Sequence, residues 1–204
     1  MSSMIIYNLV YLPTHIFLGE AMFLGPNLPH AYLSGDCIEC MACSDNVVRA
    51  GLTPKLIDVP TLCGMLIYEC PEDDKVEETF KFKPVQGSGP YDKVYDAPVP
   101  DFSVAKLEAL QGKGTISFPE RKSASIVIVT DCQSGTYNAL RHGSVYVKDG
   151  TVKKGLVLFL EANDTLQLTA DDKESIQAFQ AFCWFFYPLG GADPLVCFDC
   201  SWSK

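Results

Sequence analysis

SIVIVT at residues 125–130 and GLVLFL at residues 155–160 are two short apolar runs rich in Val, Ile and Leu. Runs of this length and composition are typical of buried β-strands. The Lys148-Asp149-Gly150 segment predicts a tight hairpin, because Asp-Gly suits the left-handed positions of such a turn. Strands spaced by roughly ten residues favour a sandwich or a small barrel. Further strands are predicted at 145–147, 166–169 and 176–183.

The N-terminal part of the chain predicts more strands and one short helix. Asp58 is suited to cap a helix that holds Pro60 in its first turn. Leu62, Met65 and Leu66 would then share one apolar face. The fold class predicted from these patterns is all-β. The strands predicted in this part are 5–12, 16–24, 36–43 and 47–50.

Composition excludes several classes of protein. The chain has 204 residues, a net charge of −9 and 48% hydrophobic residues, which indicates a globular protein with a sizeable core. No stripe of Lys and Arg is present, so no nucleic-acid partner is expected. The apolar N-terminal stretch is interrupted by Pro13, His15 and Glu20, so neither a membrane span nor a signal peptide is expected. Nine cysteines, an odd number, favour reduced thiols and a cytoplasmic location.

A histidine follows a Gly/Pro turn in GEAMFLGPNLPHAY, residues 19–32. A strand, a turn and then His30 is the order in which jelly-roll barrels bring a metal ligand to the barrel mouth, and His is a common ligand near neutral pH. The alternative is that His30 is an ordinary surface or core residue.

Charged residues follow His30 within a short distance. Glu39, Asp45, Arg49 and Lys55 supply two carboxylates and two cations. This set suits a phosphorylated, polyhydroxylated ligand, because Arg forms forked hydrogen bonds to anions and Lys adds a point charge. The alternative is a set of surface ion pairs.

The cysteine spacing suggests a second kind of metal site. Cys37-x-x-Cys40-x-x-Cys43 and Cys197-x-x-Cys200 resemble halves of a structural zinc site. They are much farther apart than such halves usually are. In a strand, Cys37 and Cys40 would also point to opposite faces, so a four-cysteine zinc site is disfavoured.

Several motifs, continuous and in order, resemble the C-terminal half of the type I mannose-6-phosphate isomerase family, and its animal members most. They are PHAY (29–32), ECMACSDN (39–46) and VRAGLTPK (48–55). The resemblance continues through IDVPTLCGML (57–66) and PYDKVYDAPVPDFSV (90–104), covering roughly residues 18–183.

The resemblance implies a zinc-dependent enzyme that interconverts mannose 6-phosphate and fructose 6-phosphate at the entry to GDP-mannose synthesis. It also implies cupin (jelly-roll) barrels, one of them only partly present. Matching the family's motifs residue by residue makes His30 a zinc ligand, Arg49, Asp45 and Glu39 catalytic, and Lys55 and Tyr32 substrate-binding.

The chain also departs from the family. It contains no Gln-x-His, so His30 is its only match to the family's set of zinc ligands. The segments bearing the other ligands would precede residue 1, and we therefore expect no turnover from the isolated chain. The alternative function is a catalytically inactive truncated isoform or fragment that acts at most as a binding module. Exposed strand edges of an incomplete barrel would favour self-association.

Domain boundaries are predicted from a shift in composition after Cys70. An acidic run, PEDDKVEE (71–78), is followed by segments rich in Gly and Pro. Combined with the resemblance, this predicts 1–69 as part of the catalytic barrel, 70–97 as a crossing segment, 98–183 as a second barrel, and 184–204 as a tail.

Overall fold

A computed structural model of the chain describes residues 4–8, 12–42, 47–51, 53–67, 80–87, 89, 92–110, 114–141, 145–184 and 202–203. The chain forms two compact units. The first unit comprises residues 1–39, 43–83 and 199–204, and the second comprises 40–42 and 84–198. The division at residues 83 and 84 falls within the predicted crossing segment, and the boundaries predicted above stay a prediction. None of the described helices is long and apolar enough to cross a membrane.

The first unit contains short antiparallel strands. Three of them form one sheet, in which β1 lies between β2 and β4, and two further pairs join β3 to β6 and β5 to β17. The strands are β1 (Met4–Asn8), β2 (Leu12–Ile16), β3 (Ala21–Met22), β4 (His30–Ser34), β5 (Cys37–Ile38), β6 (Lys81–Phe82) and β17 (Trp202–Ser203).

The predicted short helix is confirmed as α1 (Val59–Met65). The Asp58 carboxylate accepts hydrogen bonds from the Thr61 backbone N–H at 3.2 Å and from the Thr61 hydroxyl at 2.7 Å. These bonds lower the pKa of Asp58 below its ordinary value. Leu62, Met65 and Leu66 are half-buried, as expected for one apolar face.

Several strands predicted in the first unit are wrong in extent. The segment 16–24 is not one strand, because the chain turns at Gly19, whose φ of 90° is left-handed and suits glycine. Glu20 stabilises this turn by accepting the Phe17 backbone N–H at 2.9 Å. Only Cys37–Ile38 of the predicted 36–43 strand is a β-strand, and 47–50 is irregular.

The second unit consists of two antiparallel sheets. The six-stranded sheet has the order β14-β11-β16-β9-β8-β7, and the four-stranded sheet has the order β10-β15-β12-β13. A short 3-10 turn, Asp171–Lys173, links the last two strands. The strands are β7 (Val85–Gln86), β8 (Asp92–Asp96), β9 (Ser103–Ala109), β10 (Thr115–Phe118), β11 (Ser125–Asp131), β12 (Gly135–Arg141), β13 (Val145–Val152), β14 (Val157–Leu160), β15 (Asp164–Ala170) and β16 (Ile176–Phe182).

Alternate residues of both sheets form one apolar core in the second unit. Val127 and Val129 of the six-stranded sheet and Leu166 and Leu168 of the four-stranded sheet are fully buried in it. This alternation follows from the pleat, which points successive side chains to opposite faces. The predicted all-β fold with one short helix is confirmed.

The hairpin predicted at Asp149-Gly150 is wrong. Both residues lie inside β13, which pairs with β12 along its length and places Gly150 opposite Tyr137. A Cβ atom at Gly150 would lie 2.7 Å from the Tyr137 ring. The glycine therefore allows the close approach of an aromatic ring instead of a turn.

A buried charged pair lies at the polar end of this core. Arg121 Nη2 is 3.6 Å from Asp92 Oδ2, and Arg121 Nε donates to Gln180 Oε1 at 3.2 Å. The guanidinium carbon lies 3.9 Å from the ring centroid of Phe182, a cation–π contact. Burial lowers the pKa of Arg121, and the Asp92 carboxylate partly offsets this.

Trp184 follows the last strand of the six-stranded sheet and is anchored to the second unit. Its indole Nε1–H donates to Asp96 Oδ1 at 2.7 Å. Its ring meets Phe182 edge-on, with centroids 5.0 Å apart. Of the predicted tail 184–204, residues 185–201 and 204 lie outside the described residues.

Candidate functional site

His30 begins β4 and is half-buried. Its Nδ1 is 3.0 Å from the carbonyl oxygen of Leu28. Because a carbonyl oxygen only accepts, Nδ1 carries the proton in this bond, and the Nε2 lone pair of a neutral ring is left to bind a cation or accept a proton.

Tyr32 joins His30 to Glu39. His30 and Tyr32 share one face of β4, and their rings meet edge-on with centroids 5.6 Å apart. The Tyr32 hydroxyl donates to Glu39 Oε1 at 2.7 Å. Burial and the Glu39 carboxylate raise the pKa of Tyr32, so its hydroxyl remains a protonated donor. The structure thus brings together three of the predicted site residues, and we call them the His30–Tyr32–Glu39 cluster.

The two predicted cationic residues lie in irregular segments that follow the cluster in sequence. Arg49 and Lys55 have exposed side chains, and neither forms an ion pair with a carboxylate of the described residues. The Lys55 backbone N–H donates to Thr53 Oγ1 at 3.2 Å, which fixes the chain locally. Asp45 lies outside the described residues, and its catalytic role stays a prediction.

The described residues do not by themselves hold a metal ion. No group of three or more His, Cys, Asp or Glu side chains in the described part of the chain is arranged to do so. Zinc sites use three or four protein ligands, so His30 with Glu39 would be an incomplete set. Cys43, Cys197 and Cys200, which the sequence suggested as zinc ligands, lie outside the described residues.

Sequence reasoning missed two features of the cluster. One is the Leu28 carbonyl that orients the His30 ring, and the other is the direct Tyr32–Glu39 hydrogen bond. The second bond joins residues seven apart, on either side of the bend at Gly35. In the sequence, Gly35 could have indicated this hydrogen bond. Glycine readily adopts the observed φ of 116°, with which the chain reverses between the two side chains.

No protein-family model matches the chain. The chain is 44% identical over 167 residues to mannose-6-phosphate isomerase of Bos taurus and 42% identical over 172 residues to that of Homo sapiens. Each match covers 81% of this chain, and the chain spans about 37% of the length of these relatives.

The structure is also similar to solved structures. It matches a point mutant of phosphomannose isomerase from Salmonella typhimurium with a TM-score of 0.60 and 26% identity, covering 85% of this chain and 40% of that one. This match confirms the predicted cupin fold. A structure of the same enzyme solved with fructose 6-phosphate and zinc has a TM-score of 0.49 and 25% identity.

Proposed function

We propose that the chain interconverts mannose 6-phosphate and fructose 6-phosphate, the activity named for the relatives it matches. The observation that carries this proposal is the 44% identity over 81% of the chain to an enzyme of that name. The His30–Tyr32–Glu39 cluster supports it, because it holds an imidazole and a carboxylate close together on one strand and the segment after it.

The reaction moves a proton between C2 and C1 of the open-chain sugar through an enediolate, which requires a base. We assign this role to Glu39, whose carboxylate is held by the Tyr32 hydroxyl at 2.7 Å. Tyr32 then acts as a positioning residue for the base, and its hydroxyl oxygen can accept a hydrogen bond from a substrate hydroxyl. Asp45 remains the alternative base.

The cations have separate roles in this proposal. Arg49 stabilises the negative charge that develops on the enediolate oxygens, since a guanidinium forms two parallel hydrogen bonds to neighbouring oxygens. Lys55 attracts the phosphate of the substrate as a compact charge. Their exposed side chains are accessible to an anion arriving from solvent.

The family resemblance implies zinc, and a full zinc site does not fit the described residues alone. His30 is oriented as a single ligand, with Nδ1 bonded to Leu28 and Nε2 left over. We therefore propose zinc binding by His30 together with donors from outside the described residues. The roles assigned to Glu39, Arg49 and Lys55 do not depend on the metal.

Location, pathway and assembly complete the proposal. We propose a cytoplasmic protein, because nine cysteines without a disulfide-scaffold pattern suit a reducing compartment. Its product would feed GDP-mannose synthesis. Self-association would use β2 and β4, the outer strands of the first unit's three-stranded sheet.

The sequence leaves a second function open, a sugar-phosphate-binding module without turnover. Such a module would need only the exposed cations Arg49 and Lys55 to hold an anionic sugar.

The test is a coupled assay for fructose 6-phosphate on the purified chain, with and without added zinc, with metal content measured in parallel. The sequence predicts no turnover from the isolated chain unless other donors complete the zinc site. If the chain turns over with zinc, Arg49→Ala should lower kcat about 100-fold, because the lost group acts on developing charge. Lys55→Ala should mainly raise KM. Lys122→Ala, which removes an exposed cation of the second unit, is the matched control and should change neither.

Each outcome decides between the functions. Turnover that depends on Arg49 supports the isomerase. Saturable mannose 6-phosphate binding without turnover, weakened by Lys55→Ala, supports the binding module instead. The absence of both turnover and binding overturns both functions.

A further inference from the structure

The outer face of the four-stranded sheet carries two rows of hydrogen-bonding side chains. On each strand the alternate residues point into the core, so these rows lie on the opposite, solvent-exposed face. The strand register places the members of each row side by side. The first row is Thr115, Thr169, Thr136 and Thr151, and the second is Ser117, Gln167, Asn138 and Asp149.

An open depression of about 510 Å³ lies over part of this face, and its polar lining consists of six side chains. That volume is within the range of roughly 300–1,000 Å³ typical of small-molecule sites. The six side chains are Thr136, Asn138, Asp149, Thr151, Gln167 and Thr169, which we call the hydroxyl-amide groove.

The chemistry of the groove selects a class of ligand. Asn138 and Gln167 lie directly opposite each other in the strand register, and each amide offers both donors and an acceptor. Neighbouring hydroxyl groups of a sugar ring need this combination, since each hydroxyl both donates and accepts. Thr136, Thr151 and Thr169 add hydroxyls that adapt to either role.

Charge and polarity exclude other ligands. Among the described residues that line it, the groove has no Lys or Arg and one carboxylate, Asp149, so this lining does not complement an anion such as a sugar phosphate. The aromatic residue in its lining, Tyr137, is 8% exposed, and Gly150 provides no side chain. The apolar part of the lining is too small to bury a lipid chain or the apolar face of a peptide.

We propose that the hydroxyl-amide groove binds a neutral carbohydrate, with Asn138 and Gln167 as its main hydrogen-bonding residues. The groove lies entirely within the second unit and uses none of the residues assigned to isomerisation. The failure of either proposal would therefore leave the other unaffected.

The experiment is a titration of the ¹⁵N-labelled chain with three neutral trisaccharides, namely mannotriose, maltotriose and cellotriose, followed by amide chemical shifts. Mannose 6-phosphate is the charged comparison ligand. We expect saturable shifts in the millimolar range at residues 136, 138, 167 and 169 with at least one neutral sugar. Asn138→Ala with Gln167→Ala should weaken binding about tenfold, the loss of two net hydrogen bonds.

Ser117→Ala is the matched control, because Ser117 lies on the same face, opposite Gln167, but does not line the groove. It should leave the affinity unchanged, and circular dichroism should show all three substitutions folded. Three outcomes would overturn the proposal. The first is that no neutral trisaccharide causes a saturable shift, which is expected of an ordinary solvated sheet face. The second is that the shifts are confined to other strands, and the third is that mannose 6-phosphate binds at the groove more tightly than any neutral sugar.

Discussion

The first unit and the second unit differ in where their apolar side chains lie. In the first unit no described side chain is fully buried, and Leu18 and Leu56 are 87% and 90% exposed. In the second unit, β11 alternates buried and half-buried residues over its first six positions and β9 buries five of its seven residues, and one apolar core draws on both sheets. The residues expected to carry chemistry nevertheless lie in the first unit.

This difference indicates that the unit with the apolar core stabilises the protein most, while the residues expected to carry chemistry lie in the other unit. Burial of apolar surface is the main stabilising term in folding, so most of the free energy of unfolding should come from the second unit. The first unit depends more on local hydrogen bonds, such as the Asp58 cap and the Tyr32–Glu39 bond. Regions of this kind open at low free-energy cost.

The largest effect should come from the buried ion pair of the second unit. Arg121→Met leaves the Asp92 carboxylate in the core without its cation, and we expect a loss of about 3–5 kcal/mol of unfolding free energy. The comparison in the first unit is Lys81→Met, which removes the 3.4 Å Lys81–Glu20 pair and should cost about 1 kcal/mol or less. Urea unfolding followed by circular dichroism measures both.

Two further substitutions control this result. Lys122→Met places the same side chain at an exposed neighbouring position and should leave stability nearly unchanged. Asp92→Asn combined with Arg121→Met should recover part of the loss, because no charge is then left alone in the core. Equal losses of unfolding free energy for Arg121→Met and Lys81→Met would contradict the inference that the second unit provides most of the stability.

A smaller effect is expected from shortening an apolar side chain in each unit. Leu168 is 0% exposed, so Leu168→Ala should cost about 3 kcal/mol through lost burial and a cavity. Leu62 is half-buried on α1, and Leu62→Ala should cost about 1 kcal/mol. Thermal unfolding measures both, and a cost for Leu62→Ala equal to that for Leu168→Ala would show that the first unit has a core after all.

Low pH should lower the stability of the second unit by protonating Glu108. Burial alone raises the pKa of this carboxyl, but hydrogen bonds from Lys106 and Gln177, each 2.9 Å, lower it overall. A lowered folded-state pKa stabilises the protein above the ordinary glutamate pKa, and that stability is lost as the pH falls through the folded-state value.

Glu108→Gln should therefore flatten the decline in urea midpoint between about pH 6 and pH 3. Glu20→Gln is the comparison in the first unit. Its pKa is also lowered, by the Phe17 backbone N–H and Lys81, but its ion pair with lysine is longer, 3.4 Å against 2.9 Å for Glu108, so the change should be smaller. A decline that is identical in the wild type and Glu108→Gln would argue against the assigned cause.

The smallest effect concerns α1. Asp58→Ala removes the acceptor of the Thr61 backbone N–H, so this amide should exchange faster with deuterium. Amides of β11 and β16 should keep their protection, since they belong to the second unit's core. Loss of protection in both units would indicate that they unfold together.

The strands of the second unit that are apolar runs, such as β11, β14 and β16, could be predicted from sequence. Polar strands such as β8 and β12 could not, because their short polar sequences also suit loops. The Asp149-Gly150 hairpin failed because the same glycine serves either a turn or a close ring contact, and only the position of Tyr137 distinguishes them. The first unit was predicted less well. The apolar stretch 16–24 suggested a strand, and the backbone conformation at Gly19 overrode that pattern.

The contacts within the candidate site could not be predicted from the sequence, and the roles of its residues stay a prediction. The structure joins His30, Tyr32 and Glu39 directly. Hydrogen bonds between side chains depend on loop geometry, here the reversal at Gly35, which a pattern of residue types does not encode.

The anchoring of Trp184 has an optical consequence. The chain contains two tryptophans, and they divide between the units: Trp184 is bonded to Asp96 in the second, and Trp202 lies in β17 of the first. Replacing either one by Phe leaves a single indole whose emission reports on one unit. Comparing the melts of the two variants would then show whether the units unfold together or apart, without any external label.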